Sequence, residues 1–212
     1  MESKKILVTG STGMLGRVLM SDWSHAHRVT GLSRRGSAAS IACDLSDPEK
    51  VRKVFSKARF DLVVHTAALS DVDGCERDPH AAWVSNALAS RNLAAVCGRK
   101  KIPLIYVSTD YVFSGEKRSP YLESDPTHPV NVYGMTKLEG EIQVKTLAWV
   151  SAVVRTSWLF GAGNPRNFVN QILERLRKVP EVSVLADQKD CPTYVKDLAV
   201  ALEKISSRVL TR

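Results

Sequence analysis

The stretch Lys5-Ile6-Leu7-Val8-Thr9-Gly10-Ser11-Thr12-Gly13-Met14-Leu15-Gly16 decides the fold. Lys5–Thr9 reads as a strand: a short, continuous apolar run ending in a β-branched residue. Met14–Trp23 reads as a helix. Between them the glycines fall at 10, 13 and 16, a GxxGxxG spacing. Gly10 permits the tight turn out of the strand, Gly13 lets backbone approach a pyrophosphate, and Gly16 lets the helix pack close to the sheet. The start of that helix offers free N–H groups and the positive end of its dipole to phosphates. The whole turn, Gly10, Thr12, Gly13, Met14, Leu15 and Gly16, is therefore expected to bind a dinucleotide. A glycine-rich turn alone is a weak signal; its place after a first strand and before a first helix strengthens it.

Outward from this turn the pattern repeats. Strands are expected at Arg28–Ser33, Asp61–Thr66, Pro103–Thr109, Val150–Thr156 and Val182–Leu185. Helices are expected at Pro48–Ala58, Ala81–Arg99, Asn131–Leu147, Asn167–Lys178 and near Val195–Ile205. Apolar strands alternating with helices predict an α/β fold, a doubly wound parallel sheet of Rossmann type covered on both faces. Ligands then lie at the carboxyl ends of the strands. Ser114–Val130, rich in Pro, Ser, Asp and Gly, reads as a surface loop.

The second strand ends Gly31-Leu32-Ser33-Arg34-Arg35-Gly36. An acidic residue there would bind ribose hydroxyls and repel a 2′-phosphate, whereas arginine binds phosphate bidentately. Ser33, Arg34 and Arg35 thus predict NADP(H) over NAD(H), the alternative being that the arginines are solvated surface charges. Tyr133 and Lys137 stand one helical turn apart on one face. A nearby ammonium favours the phenolate and adapts tyrosine to acid–base work on a carbonyl/alcohol couple. At the end of the fourth strand, Ser108 or Thr109 offers a hydroxyl to the reacting oxygen. Alternation along the strand turns only one of them to the site, with Thr109 preferred.

With 212 residues the chain is expected to form one large domain, or one with a small appendage. Its composition, 44% hydrophobic and 25% charged, excludes a disordered or fibrous chain. The net charge of +8 permits anionic ligands, but the basic residues are scattered, so nucleic acid is not an indicated partner. Four cysteines, Cys43, Cys75, Cys97 and Cys191, lie far apart without a metal-binding spacing. No apolar run is long enough to span a bilayer, and no signal peptide is evident. The expectation is a cytoplasmic protein with no membrane or nucleic-acid partner and no assigned metal ligand.

Taken together, these motifs resemble the extended short-chain dehydrogenase/reductases, and more narrowly the dTDP-4-dehydrorhamnose reductase family. The resemblance rests on ILVTGSTGMLGR (Ile6–Arg17), CDLSD (Cys43–Asp47), HTAALSDVDGCE (His65–Glu76), VSNALASRNLA (Val84–Ala94), YVSTDYVFSG (Tyr106–Gly115), YLESDPTHPVNVYGMTKLEGE (Tyr121–Glu141), RTSWLFG (Arg155–Gly161) and DQKDCPTYVKDLA (Asp187–Ala199). It implies a catalytic triad of Thr109, Tyr133 and Lys137, acting on the C4 keto group of a dTDP-linked 6-deoxysugar with NADPH. It places Asp44 and Leu45 by the adenine and Ala67 and Ala68 along the cofactor cleft. Asn86 would stand on the helix beside the site, or simply tie helix to strand. Val72 and Asp73, with Glu76, would face substrate or a divalent ion, unless they belong to a solvated acidic loop. Trp158 and Thr193 would be substrate-side residues, with Asp187, Gln188 and Pro192 shaping the sugar-nucleotide pocket. Family members continue beyond the last helix. The expected division is therefore a Rossmann core over 1–156 and an incomplete substrate lobe over 157–212, interleaved with the last strand and helix of the core. A homodimer is compatible with the resemblance. Two other functions are too: a non-catalytic NADP-binding subunit like the regulatory β subunit of methionine adenosyltransferase, with that enzyme as partner, and a reductase or epimerase of another nucleotide sugar.

Overall fold

The computed structural model describes residues 2–162, 167–184 and 187–211. Six strands form one parallel sheet in the order β3-β2-β1-β4-β5-β6. They are β1 Lys5–Thr9, β2 Arg28–Ser33, β3 Ser40–Ala42, β4 Leu62–His65, β5 Leu104–Thr109 and β6 Ser151–Thr156. The order reverses between β1 and β4, whose registers run Ile6 to Leu62 through Thr9 to His65. A crevice therefore opens at the carboxyl ends of these two strands, the place where doubly wound sheets bind ligands.

Alternation along the strands divides the core between the two faces. Leu7, Val63, Leu104 and Tyr106 point to one side, where they pack with residues of α2 (Pro48–Lys57), α5 (Ala89–Lys100) and α6 (Val132–Leu147). Ile6, Val8, Val64, Ile105 and Val107 point to the other, against α1 (Met14–Asp22) and α8 (Val195–Leu210). On α8 the buried positions are Val195, Leu198, Ala199, Leu202, Ser206 and Val209, a single helical stripe. Caps fix where the helices start. Asp47 accepts the N–H groups of Glu49 and Lys50 ahead of Pro48, and Asn131 accepts that of Gly134 at 2.7 Å. The segment Ser114–Val130 contains no helix or strand.

Several local expectations change. The long helix expected from Ala81 starts at α4 (Pro79–Ala82), passes through a π turn at Trp83–Leu88 and continues as α5. Ser40–Ala42 adds an edge strand too short and too polar to read in advance. Val72–Arg77 forms a helix, α3, capped by Asp71. The strand expected at Val182–Leu185 is absent over residues 182–184, and Leu185 lies outside the described residues. Alternating valines satisfied the strand pattern, but a strand also needs a ladder partner. The ladder forms elsewhere, between β7 (Leu159–Phe160) and β8 (Thr193–Tyr194). The expected helix from Asn167 is α7, Phe168–Leu176, with Asn167 as its cap.

Candidate functional site

The glycine-rich turn lies in the crevice as its spacing requires. Gly10 has φ +68°, and a Cβ there would meet the Ala67 backbone nitrogen at 2.7 Å. Gly16 faces the Gly10 carbonyl so closely that a Cβ would collide with it. At the start of α1, Gly13 provides no side-chain cap, which leaves the first-turn amides open toward the crevice. The resulting cleft, of about 610 Å³, is lined by Gly10, Thr12, Gly13, Ser33, Arg34, Arg35, Asp44, Leu45, Ala67 and Ala68. Ten of the residues expected at the cofactor thus share one cavity. Arg34 and Arg35 are both exposed, and Arg34 donates to Ser85 Oγ at 3.0 Å. The backbone and hydroxyl of Ser46 hold the Asp44 carboxyl below its ordinary range, with Arg34 adding a smaller pull. The Leu15 side chain is buried in the core beneath α1, so only its backbone belongs to the turn. Helical periodicity turns the side chain inward, away from the crevice.

The second group of residues stands at the carboxyl end of β5. Thr109 is buried, and its Oγ1 donates to Asp110 Oδ1 at 3.0 Å. Tyr133, in the first turn of α6, faces the Thr109 hydroxyl and packs edge-on against Tyr111 with ring centres 5.7 Å apart. Burial raises the Tyr133 phenol above its ordinary value, and the Thr109 hydroxyl opposes that rise. Lys137 lies one turn further along α6, fully inside. Its Nζ donates to the Val107 carbonyl at 2.8 Å and sits 4.1 Å over the Tyr106 ring. Burial pushes its ammonium down to about 7, against the pull of Glu141. The sequence spacing predicted that Lys137 would lower the Tyr133 phenol. In this state the ammonium is turned to Val107 and burial dominates at the phenol.

Ser108 is a correction. The strand turns it away from Thr109, toward the Glu141 carboxylate on the other side of β5. Glu141 is fully buried and bidentate with Arg155, at 2.9 and 2.7 Å. Burial works to raise its carboxyl, but Arg155, Ser108 and Lys145 together hold it below the ordinary value. This ion pair was not singled out from sequence, although Glu141 stands four residues after Lys137 on one helical face.

His65 was missed as well. It is fully buried, with Nδ1 2.7 Å from Thr9 Oγ1 and Nε2 3.0 Å from Ser90 Oγ. Burial, with a smaller push from Lys137, drives its imidazole down to about 3, so it stays neutral. Asn86, in the π turn, exchanges two hydrogen bonds with the Leu69 backbone and donates to Thr136 Oγ1 at 3.0 Å. It ties the loop after β4 to α6.

The expected substrate residues divide into separate groups. Val72 and Asp73 open α3; Asp73 is exposed, and its charge reaches the Tyr111 hydroxyl. Glu76 accepts the Val132 N–H at 2.7 Å and so steadies the start of α6. Trp158, with φ +44°, packs against Phe168 at 4.5 Å between ring centres. Together with Arg175, Gln188, Asp190 and Pro192 these rings line a second cavity of about 520 Å³. Thr193 is instead occupied in the β7–β8 ladder, where its N–H reaches the Trp158 carbonyl at 3.3 Å.

A parallel sheet with a GxxGxxG crevice, and a Thr, Tyr and Lys set beside it, defines a Rossmann-type protein of the short-chain dehydrogenase/reductase kind. The chain belongs to the RmlD substrate binding domain family, whose description matches residues 4–212. It is 38% identical over 195 residues to the dTDP-4-dehydrorhamnose reductase of Burkholderia thailandensis, an alignment covering 92% of this chain and 63% of that protein. Among solved structures it is similar to a dTDP-4-dehydrorhamnose reductase from Clostridium acetobutylicum, with TM-score 0.90 and 35% identity over 96% of this chain and 70% of that one. It is also similar to the dTDP-4-dehydrorhamnose reductase of Bacillus anthracis in complex with NADP, with TM-score 0.89 and 34% identity over the same shares of the two chains. The chain therefore spans a little under two thirds of the Burkholderia relative's length. Among the described residues, no helix is long and apolar enough to cross a membrane.

Proposed function

We propose that this chain carries the cofactor-binding and proton-donating machinery for reducing the C4 keto group of dTDP-4-dehydrorhamnose to dTDP-rhamnose with NADPH. One observation carries this reading: the paired hydroxyls of Thr109 and Tyr133 stand at the end of β5, within a sheet whose switch-point cleft is shaped for a dinucleotide.

The residues present fit that cofactor. The space a Cβ would fill at Gly10 and the uncapped first turn of α1 from Met14 suit a pyrophosphate. Arg34 and Arg35 suit a 2′-phosphate, with Ser33 beside them, while Asp44 and Leu45 flank the adenine side and Ala67 and Ala68 the inner wall. Bound there, NADPH supplies a hydride. Tyr133 donates its proton to the carbonyl oxygen as negative charge develops, and Thr109 holds that oxygen through its hydroxyl. Lys137, poised near neutrality by burial, supplies a positive charge behind the phenol. The second cavity, with Trp158, Phe168 and Arg175, suits the nucleotide end of the substrate: flat rings for a base and a cation for phosphate. We read residues 1–156 as the cofactor core and 157–212 as the part that shapes the substrate side, with α8 returning to the core. Reduced dinucleotide and sugar nucleotide are both cytoplasmic metabolites, which is where this reading places the protein.

The test is consumption of NADPH with dTDP-4-dehydrorhamnose, followed by absorbance, with product identification. Wild-type protein should turn over, and Tyr133→Phe should lose about 10²- to 10⁴-fold while still binding NADPH. Equal rates in the two proteins would refute the assigned role of Tyr133. A wild type that binds NADPH without turnover would favour the regulatory-subunit reading.

A further inference from the structure

All the strands of the main sheet are parallel, so their starting ends share one edge, opposite the crevice. Backbone hydrogen bonds join the turns at that edge in order. The Arg28 N–H reaches the Lys4 carbonyl at 2.8 Å, and the Asp61 N–H reaches the Lys5 carbonyl at 2.7 Å. The Val63 N–H reaches the Pro103 carbonyl at 3.0 Å, and the Leu104 N–H reaches the Val150 carbonyl at 2.9 Å. Arg28, Lys5, Arg59, Lys101 and Trp149 therefore stand in a row from β2 to β6, about 19 Å long at the usual strand spacing. All five are exposed. The ends of α5 and α6 also touch, because Gly98 faces the Leu147 carbonyl so closely that a Cβ would collide with it. That contact brings Lys100 and Lys101 beside the turn of Trp149.

Far apart in the sequence, these cations are gathered by the parallel topology. Among the described residues, Lys5, Arg28, Arg59, Lys100 and Lys101 have no ion pair. The acids at this edge are Asp61, which accepts the Lys5 N–H at 2.7 Å, Glu2, which pairs with Lys4, and Asp22 at the end of α1. A cation at a helix C-terminus answers that helix's dipole, which accounts for Lys100 on α5. Lys5, Arg28 and Arg59 stand at or just before strand starts, where dipoles are small, so helix electrostatics does not account for the row.

We propose that this edge docks the protein on an anionic lipid surface. The edge is made of strand starts and helix ends, not of a helix side or β-ribbon such as enters a nucleic-acid groove. Trp149 is 52% exposed and of the residue type that gathers at the headgroup level of bilayers. Unpaired cations around such a ring complement the negative surface of a cytoplasmic leaflet. The expectation of no membrane partner rested on the lack of a spanning run, which peripheral docking does not need. The strands run away from the docked edge, so the glycine-rich crevice and Thr109 at their carboxyl ends stay open to water.

Co-sedimentation of the full chain with vesicles tests this. At low salt the protein should pellet with two parts phosphatidylcholine to one part phosphatidylglycerol, but not with phosphatidylcholine alone, and salt should release it. Arg59→Glu with Lys100→Glu should weaken binding about twentyfold or more. Arg77→Glu with Arg118→Glu makes the same change of net charge beyond the carboxyl ends of β4 and β5, and should weaken it less than about threefold. Trp149→Ala should bind several times more weakly and lose the blue shift of tryptophan emission that the mixed vesicles cause in wild type. Equal losses in the two charge variants would mean that net charge alone attracts the protein, and would overturn the proposal. So would no binding at low salt, equal binding to phosphatidylcholine alone, or duplex DNA held more tightly than the mixed vesicles at equal salt.

Discussion

α5 lines the cofactor cleft through Ala89, α7 lines the second cavity, and the two helices are held in opposite ways. α5 buries Ala89, Ser90, Leu93, Ala94, Val96 and Cys97 against the sheet. α7 buries none of its residues and exposes Phe168, Leu173 and Leu176. The region of α5 fixes a cleft through close backbone approach, caps and paired buried polar groups. The region of α7 meets the rest of the chain through rings, such as Trp158 with Phe168, through its cap Asn167, which donates to the Gly161 carbonyl at 3.3 Å, and through a two-residue ladder. The cofactor side is thus built before any ligand arrives, while the substrate side rests on thin support. A ligand filling the 520 Å³ cavity would contribute a large share of the order there.

Substitutions should separate the two regions. The largest effect is expected from Gly16→Ala, whose Cβ collides with the Gly10 carbonyl. It should cost about 4 kcal/mol or more in urea unfolding, and a loss under 1 kcal/mol would show that the turn is less rigid than described. The next concerns acid. The His65 imidazole is driven to about 3 from an ordinary 6.5, so the unfolded chain takes up this proton first. Stability should fall as pH drops from about 6.5 toward 3, with His65 contributing a slope approaching 1.4 kcal/mol per pH unit. Unfolding midpoints of wild type and His65→Asn across that window isolate this part; parallel curves would deny it. The smallest effect is expected in α7, where Leu176→Ser should change stability by no more than about 0.5 kcal/mol. A larger loss would mean that α7 is supported as firmly as α5.

The same contrast explains what could be read in advance. GxxGxxG, YxxxK and the strand-end hydroxyl are local codes. Each glycine answers a steric demand set within a few residues, and i,i+4 spacing alone places Tyr133 and Lys137 on one helix. Their places in the fold follow from that spacing. Resemblance, not spacing, supplied Asp44, Ala67 and Trp158. Contacts between distant segments carry no such code. The bonds of His65 to Thr9 and Ser90, and the ion pair of Glu141 with Arg155, depend on how the strands are ordered. The valines at 182 and 184 satisfied a periodicity but found no ladder, because pairing is a property of the sheet and not of the segment. Ser108 differs for a simpler reason: the motif named a stretch, and alternation along β5 turned that side chain the other way.

The most direct test of the central claim, that the β1–α1 crevice is a preformed NADP(H) site, is a calorimetric titration with NADPH and with NADH. The same titrations would be repeated on the Arg34→Ala/Arg35→Ala double variant. Wild-type protein should prefer NADPH, and the variant should lose about tenfold or more in NADPH affinity, on the order of 1.4 kcal/mol, with NADH binding little changed. An equal affinity for NADPH in the two proteins, or no binding of either dinucleotide by folded wild type, would contradict it.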